Sequence, residues 1–169
     1  MDLLKMIKAQ KKLDDAILSA KGIEKYPYEE IKLALRVEVA EFAQEWQGFK
    51  YWKDNKVVGR LAMLGEFADC LHFALSLFYE DIKEAGASLE DEIMALGYTL
   101  KDYVNSKEKY GEISTDANSI TKMINQYLEW MHIEWLFEIG ISVGFTFEEM
   151  EKAYFEKNEI NWKRLNSGY

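Results

Sequence analysis

Cysteine and proline are almost missing from this sequence, whose 169 residues include one cysteine, Cys70, and one proline, Pro27. A single cysteine excludes an intramolecular disulfide framework and is typical of proteins in a reducing cytosol. No linker rich in serine, glycine or proline divides the chain, and its length suits one domain with a substantial core. The sequence therefore predicts a single cytoplasmic domain over residues 1–169.

Long apolar runs and an excess of basic residues are also lacking. No apolar run reaches the roughly 18 residues that a membrane-spanning helix needs. The amphipathic, acid-containing start "MDLLKMIKAQKKLDDAIL" is unlike a signal or transit peptide. The formal net charge of −9 argues against broad binding to nucleic acids or anionic membranes, because both need a basic face. A small anionic ligand is still compatible with this charge, since it needs only a local cluster of cations or metal ions.

Helical periodicity is what the sequence has in abundance. Apolar residues recur at helical spacing and no stretch alternates with period two, so we predict an all-α fold of about six helices. The first predicted helix ends near Gly22, and a second, over 28–46, follows Pro27. After a loop over 48–59 come a long apolar helix over 60–85, closed by Gly86, and a segment begun by Ser88 and Asp91. An apolar and aromatic stretch over 115–138 precedes the last helix, which runs from the capping box of Thr146 and Glu149 to about residue 165.

Two pairs of acids lie among apolar residues of the second and third predicted helices. The stretch "RVEVAEF" (36–42) contains Glu38 and Glu41, and "LGEFADCLHF" (64–73) contains Glu66 and Asp69. Residues three apart share a helix face, and the two pairs are symmetric about the middle of the intervening loop. An antiparallel hairpin would therefore bring Glu38 level with Asp69 and Glu41 level with Glu66.

Four clustered carboxylates between apolar helices are tolerated only when protons or cations neutralise them. Hard oxygen ligands without a thiolate favour Mg²⁺, or Mn²⁺, over zinc. Since Mg²⁺ keeps several waters and prefers to share its coordination sphere with phosphates, a phosphoanhydride substrate is expected. The competing interpretation is that each pair belongs to an ordinary solvated helix face, and the symmetry and apolar flanks weigh against it.

The acid pairs, spaced as E-x-x-E, 24 residues and E-x-x-D, belong to a wider set of motifs. These are "QKKLDDAI" (10–17), "VEVAEFAQEWQGFKYWK" (37–53), "EFADCLHFALSL" (66–77) and "AYFEKNEINWKRLNSGY" (153–169). Together they make the sequence similar to the all-α dimeric dUTPases, within the superfamily of MazG-like nucleoside triphosphate pyrophosphatases. The acid pairs alone fit the whole superfamily, whereas the His-Phe extension at 72–73 and the C-terminal block favour the dUTPase branch.

Two positions depart from the pattern of that family. Asp14 stands where some members have Asn, a difference that would alter contacts to the base or sugar. Leu165 follows Arg164 where Gln is expected, so the C-terminal segment would close differently over a ligand.

The resemblance implies roles for further side chains. Lys157, Asn161 and Arg164 recur at helical spacing on one face and, with Lys50, are the predicted phosphate ligands, since a guanidinium fork and an ammonium both suit phosphate oxygens. The alternative for this face is an ordinary solvated helix surface.

The predicted nucleoside-binding residues are spread over the whole chain. An amide can pair with O4 and N3–H of uracil, which suits Gln10 to base recognition. Trp52 could instead be a loop anchor, and His72 a hydrogen-bonded structural residue. The full predicted set is Gln10, Asp14, Trp52, His72, Phe73 and Asn158.

The activity that the resemblance implies is Mg²⁺-dependent hydrolysis of dUTP, and of dUDP, to dUMP, with attack at the β-phosphorus, by a homodimer. Two or more metal ions would be held by Glu38, Glu41, Glu66 and Asp69, with Glu41 or Glu38 as the general base. One alternative is a related pyrophosphatase acting on dCTP or another nucleotide. An alternative of a different class is a non-catalytic helical interaction protein.

Overall fold

The computed structural model describes residues 1–110 and 116–168 of the chain. Seven helices lie within these ranges. They are α1 (Leu3–Lys21), α2 (Tyr28–Trp46), α3 (Arg60–Ala85), α4 (Leu89–Tyr110), α5 (Ala117–Trp130), α6 (Ile133–Ser142) and α7 (Phe147–Asn166). The all-α prediction is confirmed. The first residue of the predicted 115–138 stretch and the terminal Tyr169 of the C-terminal block lie outside the described residues.

Helix ends follow the predicted local signals. Gly22 and Gly86 cap α1 and α3 in the left-handed conformation, with φ of 65° and 64°, which glycine adopts without a steric penalty. The capping box before α7 is complete, because Glu149 N donates to Thr146 Oγ1 at 3.1 Å and Thr146 N donates to the Glu149 carboxylate at 2.8 Å.

The predicted apolar stretch over 115–138 forms two helices rather than one. Met131 takes a left-handed conformation, with φ of 55°, and its N–H bonds to the Tyr127 carbonyl at 2.7 Å. α5 ends there and α6 begins at Ile133 after His132. Because no glycine or proline marks this break, the sequence pattern did not reveal it.

α3 is the central helix of the fold. It packs against α1, α2, α4, α6 and α7, and its buried side chains include Phe67, Leu71 and Leu75. By length and composition α3 is apolar enough to cross a membrane, with a mean hydropathy of 1.4, although counting uninterrupted apolar runs did not indicate this. More than half of that apolar window is buried inside the molecule, so the apolarity of α3 is explained by its place in the core.

α2 and α3 form the antiparallel hairpin that positions the acid pairs. Phe42 of α2 meets Phe67 of α3 edge to face, with ring centroids 5.5 Å apart. One turn further from the hairpin loop, the same register brings Glu38 opposite Asp69. α7 packs against both α1 and α3, and it thereby delivers its polar face to the same region.

Candidate active site

Three carboxylates converge between α2 and α3. Glu38, Glu66 and Asp69 each place an oxygen within 4.8 Å of the others, and all three side chains are partly buried. Burial, followed by repulsion from Asp69, Glu41 and Glu66, raises the pKa of Glu38 to about 7. Burial and the neighbouring carboxylates also raise the pKa of Glu66. The group is therefore poised to take up a proton or a cation.

Glu41 is the acid that the structure separates from this group. Its side chain is exposed and is not among the three that converge, although Glu38 and Glu41 have the same spacing as Glu66 and Asp69. It is still close enough to raise the pKa of both Glu38 and Glu66. The predicted quartet is thus a triad with a fourth carboxylate at its solvent side.

Lys157 of α7 provides a positive charge at the carboxylates. Its Nζ lies 2.5 Å from Asp69 Oδ2, and both side chains are mostly buried. The ammonium group shows that the site accepts a cation, and it lowers the pKa of Glu38 in opposition to the acidic neighbours. The contact joins α3 of the acid hairpin to α7 of the C-terminal block, across 88 residues of sequence.

A cavity of about 280 Å³ opens beside the triad, between α1, α2, α3 and α7. It brings together predicted metal, phosphate and nucleoside ligands from four separate helices. The predicted residues in its lining are Gln10, Asp14, Glu38, Asp69, His72, Phe73, Asn161 and Arg164. Arg164 Nη1 also donates to Asn161 Oδ1 at 3.5 Å, which links two of the predicted phosphate ligands.

Four cavity-lining residues had not been predicted as site residues: Leu13, Ile17, Lys21 and Leu165. Ile17 lies three residues after Asp14 and Lys21 follows one turn later, so the helical spacing that selected Gln10 and Asp14 could have found them. Leu165 occupies the position where the family pattern has Gln, and it gives the cavity an apolar wall there.

Asp14 stands at the centre of a polar network at the α1 wall of the cavity. Gln10 Nε2 donates to Asp14 Oδ1 at 2.8 Å, Ser76 also hydrogen-bonds to the Asp14 carboxylate, and the Tyr26 hydroxyl lies 2.7 Å from Ser76 Oγ. Burial nevertheless raises the pKa of Asp14 to about 6. Ser76 and Tyr26 were not predicted, because their connection to Asp14 depends on packing between distant helices.

His72 is a buried, neutral histidine at the cavity wall. Its ring stacks on Tyr154 with centroids 4.4 Å apart, and its Nε2 lies 3.3 Å from the Tyr154 carbonyl. Since a carbonyl only accepts, Nε2 carries the hydrogen and Nδ1 is left as an acceptor. Burial lowers the pKa of His72 to about 4. His72 is therefore both a hydrogen-bonded structural residue and part of the cavity wall.

Asn158, Lys50 and Trp52 do not line this cavity. Asn158 is buried, and its side chain contacts that of Tyr154. Lys50 Nζ donates to the Gln44 carbonyl at 3.3 Å. Trp52 is 61% exposed and contacts the rings of Phe49 and Tyr51 within the hairpin loop.

An Asp14→Asn variant is expected to be more stable than the wild type near pH 8 and equally stable near pH 4. Burial holds the pKa of Asp14 at about 6 instead of its ordinary 3.8, so the folded state disfavours the anion. The resulting penalty is absent below pH 4, grows as the pH rises toward 6 and is complete above it, reaching at most about 3 kcal/mol. The isosteric amide avoids this penalty and still accepts from Gln10.

Urea denaturation at both pH values measures this difference in stability. Asp15→Asn is the matched control, because Asp15 is exposed and pairs with Lys11. A gain from Asp14→Asn of the same size at both pH values would show that the buried charge is not its cause.

Comparison with known proteins agrees with the geometry of the cavity. A family model described as dUTPase matches residues 2–169. No curated protein matches the sequence significantly. The family match spans the acid hairpin, the α1 motif and the C-terminal block together, and it decides against the non-catalytic alternative. The chain therefore belongs to the all-α dUTPase family and is a dUTP diphosphatase.

Proposed function

We propose that the enzyme hydrolyses dUTP to dUMP and pyrophosphate, and dUDP to dUMP and phosphate, in a Mg²⁺-dependent reaction that keeps uracil out of DNA. The observation that carries this proposal is that Glu38 and Asp69 of the triad line a cavity that also holds Gln10 and Arg164. One end of the site thus suits a metal-bound polyphosphate, and the other suits a nucleoside.

The triad fits Mg²⁺ by its chemistry. Its donors are carboxylate oxygens within 4.8 Å of one another. Burial and the neighbouring carboxylates raise the pKa values of Glu38 and Glu66, so a bound cation would stabilise their anions. Glu38, Glu66 and Asp69 would hold Mg²⁺, with Mn²⁺ as a substitute, and Glu41 would extend the site to two or more ions. When bound, Mg²⁺ supplies positive charge for the phosphate oxygens and increases the acidity of water.

Proton transfer falls to the glutamates of α2. Glu38 belongs to the triad, whereas Glu41 lies outside it at the solvent side. We therefore assign Glu41 to orient the attacking water and accept its proton, with Glu38 as the alternative base. Attack at the β-phosphorus, which the family resemblance implies, accounts for both substrates, because dUTP and dUDP share that atom and leave the same dUMP.

Cationic side chains of α7 would stabilise the charge that develops on the transferred group. Arg164 and Asn161 line the cavity, and Lys157 lies at its acidic end on Asp69. A guanidinium can bind two phosphate oxygens at once, and an ammonium can move between a carboxylate and a phosphate. Lys50 does not line the cavity and stays a predicted phosphate ligand.

Gln10, Asp14, His72 and Phe73 form the part of the cavity proposed for the nucleoside. The Phe73 ring would pack on the uracil or deoxyribose, which disfavours a 2′-hydroxyl. Asn158 and Trp52 are the remaining predicted nucleoside ligands, and neither lines the cavity.

A second candidate substrate, dCTP, is favoured by one observation. Asp14 places a carboxylate in the cavity where some family members have an amide. An ionised carboxylate only accepts hydrogen bonds, and cytosine offers an N4 amino group where uracil offers O4.

We further propose a cytoplasmic homodimer. The buried, free Cys70 is compatible with a reducing compartment. Exposed apolar side chains on α2 and the hairpin loop could be covered by a second copy, among them Leu33, Val37, Tyr51, Trp52 and Val57. Sedimentation velocity distinguishes this dimer from a monomer.

A substrate panel with and without Mg²⁺ tests the proposed reaction. We expect fast release of dUMP from dUTP and dUDP, slow turnover of dCTP, dTTP and UTP, and loss of all activity when Mg²⁺ is chelated. Nucleotide products are separated by ion-exchange chromatography and pyrophosphate is measured in parallel. Faster turnover of dCTP than of dUTP would establish the second candidate, and full activity in excess chelator would contradict the metal-dependent mechanism.

A further inference from the structure

Tyr154 of α7 is fully buried and contacts two of the proposed nucleoside ligands at once. Its hydroxyl oxygen lies 3.1 Å from Gln10 Oε1 and 3.0 Å from the Met6 carbonyl. Its ring stacks on His72, and its carbonyl lies 3.3 Å from His72 Nε2. Tyr154 does not line the cavity itself, so any role in the reaction must act through these neighbours.

The amide of Gln10 is held at both ends. Its Nε2 donates to Asp14 Oδ1 at 2.8 Å and its Oε1 accepts from the Tyr154 hydroxyl. An ionised Asp14 can only accept, so Nε2 faces it, and Oε1 then shares the single hydrogen of the Tyr154 hydroxyl with the Met6 carbonyl. The flipped amide would set two oxygens against each other at Asp14. Since the Gln10 side chain is buried, water cannot compensate for that loss.

A fixed amide orientation matters because uracil and cytosine differ by a reversal of hydrogen-bonding character. Uracil presents an acceptor at O4 and a donor at N3, whereas cytosine presents a donor at N4 and an acceptor at N3. An amide that can rotate by 180° offers either pattern and discriminates poorly. An amide held between two neighbours offers only one.

We infer that Tyr154 is a positioning residue, whose hydroxyl fixes the Gln10 amide and thereby sets the preference between uracil and cytosine nucleotides. This inference rests on the proposed function, in which Gln10 contacts the base. It assigns specificity to a residue that does not touch the ligand. The ring and carbonyl of Tyr154 hold His72 independently of the hydroxyl, so removing the oxygen leaves the His72 contacts in place and removes the bonds to Gln10 Oε1 and the Met6 carbonyl.

The test compares Tyr154→Phe with Gln10→Leu and with Tyr127→Phe. Tyr127 is the matched control, because it is also fully buried, and its hydroxyl has no hydrogen-bond partner among the described residues. Steady-state kinetics with dUTP and dCTP give the ratio of kcat/KM for the two substrates, and thermal unfolding reports folding. We expect Tyr154→Phe to reduce the preference between the two nucleotides about three- to tenfold, the effect of one lost hydrogen bond. We expect Tyr127→Phe to leave the ratio unchanged.

The outcomes separate this inference from the proposed function. If Gln10→Leu erodes the preference and Tyr154→Phe does not, Tyr154 has no positioning role while the nucleoside site stands. If Gln10→Leu leaves kcat/KM for both nucleotides unchanged, the proposed nucleoside site is wrong and the inference falls with it. A drop in kcat/KM that is equal for dUTP and dCTP in Tyr154→Phe would indicate a purely structural role and would also overturn the inference.

Discussion

Glu38→Gln is expected to lower kcat/KM for dUTP by at least about two orders of magnitude. The amide keeps the shape of the side chain but removes the charge from the centre of the triad, where Glu38 faces Glu66 and Asp69. A neutral amide is a weak ligand for Mg²⁺ compared with a carboxylate. The loss should appear mainly in kcat, because the charge is needed where the phosphoryl group is transferred.

The pKa of Glu38 gives this prediction a second measurement. In the metal-free protein that pKa is about 7, above the ordinary 4.5, so the stability of the protein falls as the pH rises from 4.5 toward 7. Near pH 8 Glu38 is an anion and Mg²⁺ should raise Tm by several degrees. Near pH 5.5 a proton occupies the site and the same Mg²⁺ should have little effect. Glu38→Gln should show a much smaller pH-dependent response, which comes from Glu66.

Glu30→Gln is the matched control, because Glu30 lies on the same helix and is exposed near its N-terminus. It should retain wild-type kinetics and the full Mg²⁺ response. Near-normal turnover by Glu38→Gln would mean that the triad is not the metal site.

Lys157→Met is expected to reduce kcat for dUTP about a hundredfold, the size of effect seen when one charge-stabilising donor is removed. Methionine retains much of the aliphatic stem, so the packing of α7 on α3 is largely preserved. What disappears is the ammonium 2.5 Å from Asp69. The same charge would otherwise move to the phosphate oxygens of the substrate.

Binding of Mg²⁺ without nucleotide should change in the opposite direction in this variant. In the structure the Lys157 ammonium pairs with the Asp69 carboxylate, which a metal ion would need as a ligand. An ammonium group and a metal ion on the same carboxylate would repel each other. Removing it should tighten Mg²⁺ binding to the protein alone, as measured by calorimetry, while catalysis weakens. A structural lysine would produce no such opposition between the two measurements.

Lys152→Met on the same helix controls for loss of a lysine, since Lys152 is exposed and pairs with Glu156 at 3.8 Å. Wild-type kcat in Lys157→Met, with folding intact, would restrict Lys157 to its ion pair with Asp69.

Much of the fold was predictable because its signals are local. Glycines 22 and 86 end helices through left-handed backbone conformations, and the Thr146–Glu149 box starts α7 through hydrogen bonds within one turn. The meeting of Glu38 with Asp69 was also predictable, since the two acid pairs are placed symmetrically about the loop that joins their helices. The break at Met131 was missed because it carries no glycine or proline and follows from how α5 and α6 pack.

The sequence by itself determined the helices other than the division between α5 and α6, the acid hairpin and the family motifs, because helical periodicity and spacing along the chain are properties of neighbouring residues. Only the tertiary structure decided that Glu41 points to solvent, that Lys157 pairs with Asp69, and that Tyr154 reaches Gln10 across 144 positions. Such contacts depend on how α7 settles against α1 and α3. That placement results from burying many apolar side chains at once, and no local pattern specifies it.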